Sequence, residues 1–211
     1  MLLHDILPPD DSRDARHCLV LHGLGDNKNG WKPVVGELGL PRLGWIFAQA
    51  PMPYHDGWSW FDIGNDFAID DDQIRESRSA LTTLIDHLLE RLGIPSERLF
   101  LMGFSQGCQM VIDQALRADR RFAGVIGISG FLRMVEEFPA AFGAAGLTQD
   151  ILMTHGLYDG LLPIINTRRI KDRLLKLGAR IDWREYPKQH SVDPLSELPD
   201  IAEWLTKRIG A

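Results

Sequence analysis

Apolar residues recur along this chain in two alternating rhythms. Short apolar runs at His17–Leu21, Gly44–Ala50, Arg98–Met102, Phe122–Ser129 and Ile151–His155 read as buried strands, and Arg180–Tyr186 as a further one. Between them the spacing turns helical. A helix is predicted from Trp31 or Lys32, with Pro33 in its first turn. Another carries Ile74, Leu81, Leu84, Ile85, Leu88 and Leu92 behind Asp70-Asp71-Asp72 and closes at Gly93 and Pro95. Those acids are read as capping its positive end, since no histidine or further acid is spaced for a metal site. Further helices are predicted over Gln106–Ala118, Pro163–Leu177 and Leu195–Ile209. Residues 131–149 fit either a helix or an irregular insertion above the sheet. Strands alternating with helices predict an α/β fold, a mainly parallel sheet covered on both faces.

Composition adds bounds to this picture. The 211 residues, 45% hydrophobic and 25% charged, suit one domain over 1–211 with a substantial core. A net charge of −6 without basic clusters argues against nucleic acid and against docking on anionic membranes. The first ten residues lack a basic segment and hold only a broken apolar run, so no signal peptide is read. With no window approaching a membrane span, a soluble, cytoplasmic protein is expected. Cys18 and Cys108 lack a C-x-x-C spacing and are expected to be reduced and buried. The sequence leaves a homodimer open.

The candidate chemistry centres on Gly103-Phe104-Ser105-Gln106-Gly107, set between a strand and a helix. That context distinguishes a nucleophile elbow from an ordinary Gly/Ser turn. Glycine two positions either side of Ser105 meets the crowding of so sharp a turn, and the following helix directs its free N–H groups towards an oxyanion.

A parallel sheet presents reactive groups at the C-terminal ends of its strands. Ser105, Asp159 and His190 each follow a strand, in the chain order Ser, Asp, His. A serine hydroxyl needs an imidazole base, and the imidazole needs a carboxylate to fix its tautomer. His190 and Asp159 are the candidates. His4, His17, His55 and His87 lack a strand-end setting, while His22 and His155 are expected to bond loop backbone. Asp159 is preferred to Asp150, Asp172 and Asp182 by location. Backbone amides of Gln106 and of Leu24, in His22-Gly23-Leu24-Gly25-Asp26, are the candidate oxyanion donors.

Together with Gly57-Trp58-Ser59-Trp60-Phe61-Asp62 and His155-Gly156-Leu157-Tyr158-Asp159, these motifs resemble the small carboxylesterase, lysophospholipase and acyl-protein thioesterase family of α/β-hydrolases over roughly residues 15 to 207. The resemblance implies an α/β-hydrolase fold without a large cap domain. It further implies Ser105 as nucleophile, Asp159 as acid, His190 as base, Leu24 and Gln106 as oxyanion donors, and no metal or cofactor. The family usually has a small residue at Cys108, valine or isoleucine at Leu162, and often glycine at Gln189. These departures bear on substrate preference.

Implied substrates are carboxylic esters or thioesters, carried by small molecules, lipids or acylated proteins. Trp58, Trp60, Phe61, Leu161 and Leu162 are candidates for an apolar acyl groove, with core or lid packing the competing role for such large side chains. The alternatives are a hydrolase of lactones or small activated esters, a non-catalytic binding module on this fold, and a metallohydrolase using His22, Asp26 and His155.

Overall fold

The computed structural model describes residues 1–11, 15–64 and 68–210. In chain order its elements are β1 (His4–Leu7), β2 (Arg16–Leu21), α1 (Trp31–Glu37), β3 (Leu43–Ala48), β4 (Met52–Tyr54), β5 (Gly57–Ser59) and α2 (Asp71–Leu92). There follow β6 (Leu99–Phe104), α3 (Gln106–Leu116), β7 (Gly124–Ile128), β8 (Asp150–Gly156), α4 (Ile164–Lys176), β9 (Arg180–Tyr186) and α5 (Glu197–Ile209). Seven strands form one sheet in the order β1-β3-β2-β6-β7-β8-β9, with β4 and β5 in a separate hairpin. All neighbours in the large sheet are parallel except β1, which pairs antiparallel with β3. The expected α/β-hydrolase architecture is present.

Alternation along the strands explains the layering. Leu19, Leu21, Leu99, Leu101, Val125, Ile151 and Met153 face one side, where they pack with Leu81, Leu84 and Leu88 of α2, Val111 and Ile112 of α3, and Leu174 of α4. Their neighbours Cys18, Val20, Phe100, Met102, Ile126 and Leu152 face the other side, against Trp31 and Val35 of α1 and Leu198, Ile201 and Trp204 of α5. A period of two along each strand has thus divided the core between two helical layers. Helix α3 is buried over its whole length.

Other expectations were met or revised locally. The Asp70 side chain accepts from the Asp72 and Gln73 amides, at 3.0 and 3.2 Å, so it caps α2, and Gly93 closes that helix at φ +62°. Residues 131–149 hold two short 3₁₀ turns, Val135–Glu137 and Gly146–Thr148, and no α-helix. They are an insertion that buries Leu132, Met134 and Phe138 in the α2–α3 layer. Strand β1 was not read from the sequence, because its half-buried edge position leaves only a broken apolar run. Part of the aromatic stretch forms β5, which closes with β4 into the hairpin despite Pro53.

The elbow is built by backbone contact. A Cβ on Gly103 would lie 2.1 Å from the Gly107 carbonyl oxygen, and one on Gly107 would lie 2.3 Å from that of Leu21. Both neighbours are main chain and have no rotamer to yield. Gly103→Ala is expected to destabilise the protein by about 1–3 kcal/mol, as overpacking does. At about 2–4 °C per kcal/mol for a chain of this size, calorimetry would read a midpoint several degrees lower. An unchanged midpoint would mean that the turn can open without cost.

Candidate active site

Three strand ends converge on one cleft. Strand β6 runs into Ser105, whose φ of +53° and ψ of −113° lie outside the regions a side-chain-bearing residue ordinarily adopts. Such a conformation costs about 1–3 kcal/mol and persists where its surroundings over-determine it. Here the Ser105 amide donates to the Ile128 carbonyl at 2.9 Å, and its carbonyl accepts from Gln109 N–H at 3.2 Å. The hydroxyl is left at the cleft, on the N-terminal end of α3.

His190 Nε2 lies 3.0 Å from Ser105 Oγ, and His190 Nδ1 lies 2.7 Å from Asp159 Oδ2. Because a carboxylate only accepts, the network assigns the proton to Nδ1 and makes Nε2 the acceptor of the serine hydroxyl proton. Asp159 is 5% exposed, and its second oxygen, Oδ1, accepts from Leu161 and Leu162 N–H at 3.0 and 2.8 Å. Every residue of this chain of contacts is therefore oriented by another. A serine, a neutral imidazole and a buried carboxylate in series can generate an alkoxide-like nucleophile and stabilise the imidazolium that results.

The cleft, with a volume of about 430 Å³, is bounded by Ser105, His190, Leu24, Gln106 and an apolar wall that includes Phe104, Leu161 and Leu162. Tyr54, Ile63 and Phe131 also line it, and sequence reasoning missed all three. Tyr54 and Ile63 flank the aromatic stretch and Phe131 lies far from both in sequence, with no local signal of their convergence. The loop bearing Leu24 is pinned to the hairpin, with Gly25 N–H donating to the Trp58 carbonyl and Trp58 N–H to that of Asp26, both at 2.9 Å.

The aromatic motif corrects one expectation. Trp60 and Phe61 are 0% exposed and belong to the core, while Trp58 borders a different surface groove with Leu3 and Pro51. None of the three lines the cleft. The Trp60 indole N–H donates to the His22 carbonyl at 2.9 Å, and the Gln106 side chain accepts from Trp60 N–H at 2.9 Å and donates to the Phe61 carbonyl at 2.8 Å. A polar tip that must be satisfied inside the core holds the Trp60 ring away from the cleft. The motif is thus a brace that joins the Leu24 loop to the start of α3.

His22 and His155 bond loop backbone as expected. His22 Nδ1 lies 2.7 Å from the Gly23 carbonyl, and its Nε2 accepts from Ala50 N–H at 3.2 Å. His155 Nε2 donates to the Leu162 carbonyl at 2.8 Å. Burial lowers the pKa of both imidazoles, which favours the neutral ring.

A mainly parallel sheet with a strained serine between β6 and α3, hydrogen-bonded in series to a histidine and an aspartate, defines an α/β-hydrolase. The Phospholipase/Carboxylesterase family model (Abhydrolase_2) matches residues 6–209, and the chain belongs to that family. The acyl-protein thioesterase 1 of Schizosaccharomyces pombe is 34% identical over 160 residues, 70% of each chain. That of Neurospora crassa is 29% identical, with 97% of this chain and 91% of the relative covered. A carboxylesterase from Bacillus cereus superposes with a TM-score of 0.85 over 99% of this chain and 95% of that one; at 14% identity the likeness concerns the fold. The protein is accordingly a serine hydrolase of ester or thioester bonds.

Cys108, directly behind the elbow, is a tempting second nucleophile. It is 0% exposed, and burial pushes its thiol up to about 12. Since the thiolate is the reactive form, iodoacetamide at pH 8 is expected to leave Cys108 unmodified in the native protein and to alkylate it after denaturation, as read by peptide mass analysis. Native modification at a comparable rate would contradict this burial.

Proposed function

We propose that the protein cleaves acyl esters and thioesters through an acyl-enzyme on Ser105, with His190 as general base and acid and Asp159 as its orienting partner. The observation that carries this reading is the pair of contacts on one imidazole, Nε2 to Ser105 at 3.0 Å and Nδ1 to Asp159 at 2.7 Å. His190 accepts the Ser105 proton as Oγ attacks the substrate carbonyl. The Leu24 and Gln106 amides receive the oxyanion, and their residues' presence on the cleft wall beside Ser105 supports that role. His190 then protonates the departing alcohol or thiol, and water repeats the sequence on the acyl-enzyme.

Thioester cleavage is supported by the acyl-protein thioesterases among the relatives, and acyl selection by the apolar wall at Phe104, Leu161 and Leu162. A cytoplasmic site of action is part of the proposal, supported by the free, buried state of both cysteines.

Ser105→Ala is expected to abolish hydrolysis of both an ester and a thioester while leaving the thermal midpoint close to that of the parent. A fluorophosphonate should label the parent at Ser105 and leave the variant unlabelled; equal esterase rates for the two proteins would overturn the assignment. With a homologous series of nitrophenyl esters, kcat/KM should climb as the acyl chain lengthens. The limit is about fourfold per methylene, which corresponds to about 0.8 kcal/mol for a fully buried CH₂. A profile that is flat, or highest for acetate, would favour small activated esters instead.

A further inference from the structure

The imidazole of His190 has to reach the serine from a distant strand. It follows β9, three places from β6 in the sheet, so at about 4.8 Å per strand the separation is about 14 Å. The segment between β9 and α5 must fold back over β8 and hold its shape there. Its composition is unpromising for such a task, since Pro187, Gln189 and Ser191 are exposed.

Within this exposed segment one side chain is buried. Lys188 is 6% exposed, and its ammonium donates to both carboxylate oxygens of Glu197, at 2.6 and 2.5 Å, and to the Ser191 carbonyl at 2.8 Å. Glu197, at the start of α5, is 0% exposed and also accepts from Asp193 N–H at 3.0 Å. On the other side, the Lys188 carbonyl accepts from Tyr158 N–H at 3.0 Å, one residue before Asp159. His190 therefore sits between two fixed points, residue 188 tied to the Asp159 loop and residue 191 tied to the ammonium.

We infer that the buried Lys188–Glu197 pair is a positioning device for the base, clamping the residues on either side of His190 so that Nε2 is held at Ser105. This rests on His190 being the base. A buried ion pair is a poor source of stability, because the desolvation of both charges offsets their attraction. Burial does push the Lys188 ammonium below its ordinary pKa, with Glu197 opposing that shift. What the pair supplies is direction: four hydrogen bonds join the Lys188 and Glu197 side chains to each other and to the backbone of residues 191 and 193. Glu197 also neutralises an ammonium that otherwise would compete with the imidazolium for Asp159.

The test is Lys188→Met/Glu197→Met, which removes the clamp while leaving no uncompensated buried charge. With nitrophenyl acetate, the folded double variant is expected to lose about 10- to 100-fold in kcat, the scale of a misplacement of about 1 Å. KM should stay within about twofold, as for an interaction made in the transition state. The rate of fluorophosphonate labelling at Ser105 should fall by the same factor. A folded double variant with parental kcat and labelling rate would overturn the inference. If it does not fold, Glu197→Gln is read in its place. That side chain keeps one acceptor for the ammonium but turns an N–H donor towards Lys188 or the Asp193 amide, so a smaller kcat loss at unchanged KM is expected and parental kcat again overturns the clamp. His190→Ala separates the two levels. An active His190→Ala removes the base assignment itself, whereas an inactive one beside a fully active double variant removes only the role given to Lys188 and Glu197.

Discussion

Everything at the cleft depends on how closely three backbones approach behind the serine. The first turn of α3 lies directly on the end of β2: a Cβ on Gly107 would be 2.3 Å from the Leu21 carbonyl oxygen and 2.8 Å from that of His22. This contact sets the Gln106 amide beside the Leu24 loop, which leaves β2 at the same point. The proposed oxyanion donors, contributed by segments some eighty residues apart, are thus brought together by van der Waals exclusion between main chains. The positive φ of Ser105 is the local cost of the same arrangement, about 1–3 kcal/mol. It is retained by backbone bonds to Ile128 and Gln109 that a relaxed turn would forfeit.

Around that contact the interior is polar to a degree that the hydrophobic pattern does not suggest. Gln106, His22 and Ser59 are all nearly or fully buried, and their side chains carry hydrogen bonds that tie the aromatic motif, the Leu24 loop and the elbow into one body. Each such bond contributes about 1 kcal/mol net, whereas leaving one partner unsatisfied costs about 1–3 kcal/mol. The asymmetry makes the network a specifier of geometry more than a source of stability. It also explains how Trp60 and Phe61 influence the cleft without touching it.

These two kinds of constraint were unequally legible in the sequence. The alternation of apolar runs with amphipathic stretches gave the layers, and the glycines flanking Ser105 marked the elbow, because both are consequences of local sterics and period. Ser105, Asp159 and His190, which the structure places in series, were legible as candidates for the same reason, as chemistry-bearing residues just past strand ends. The roles of the aromatic residues could not. Gly57-Trp58-Ser59-Trp60-Phe61 reads identically whether its rings line a groove or fill a core, and what decided it was the availability of partners for two buried polar groups, the Trp60 indole and the Gln106 amide. Tyr54, Ile63 and Phe131 were illegible for the complementary reason that convergence in space leaves no trace in spacing. The edge strand β1 escaped because one exposed flank erased its apolar signal.

Asp159 shows how far the proposed chemistry and substrate selection are mechanically joined. One oxygen orients the imidazole; the other holds the amides of Leu161 and Leu162, two residues of the apolar wall. His155 completes the turn by donating to the Leu162 carbonyl, with its ring stacked on Trp183 at 6.1 Å. A change in the wall that strains this turn is therefore transmitted to the carboxylate, and through it to the imidazole facing Ser105. Side-chain substitutions at Leu161 and Leu162 leave the two amide donors in place and so can retune the cleft without disturbing the acid. A proline at either position would remove a donor, and a reshaped cleft would then come with a disoriented imidazole. The wall is free to vary in size and shape, but its backbone is not, because the carboxylate that orients the imidazole also fixes the wall.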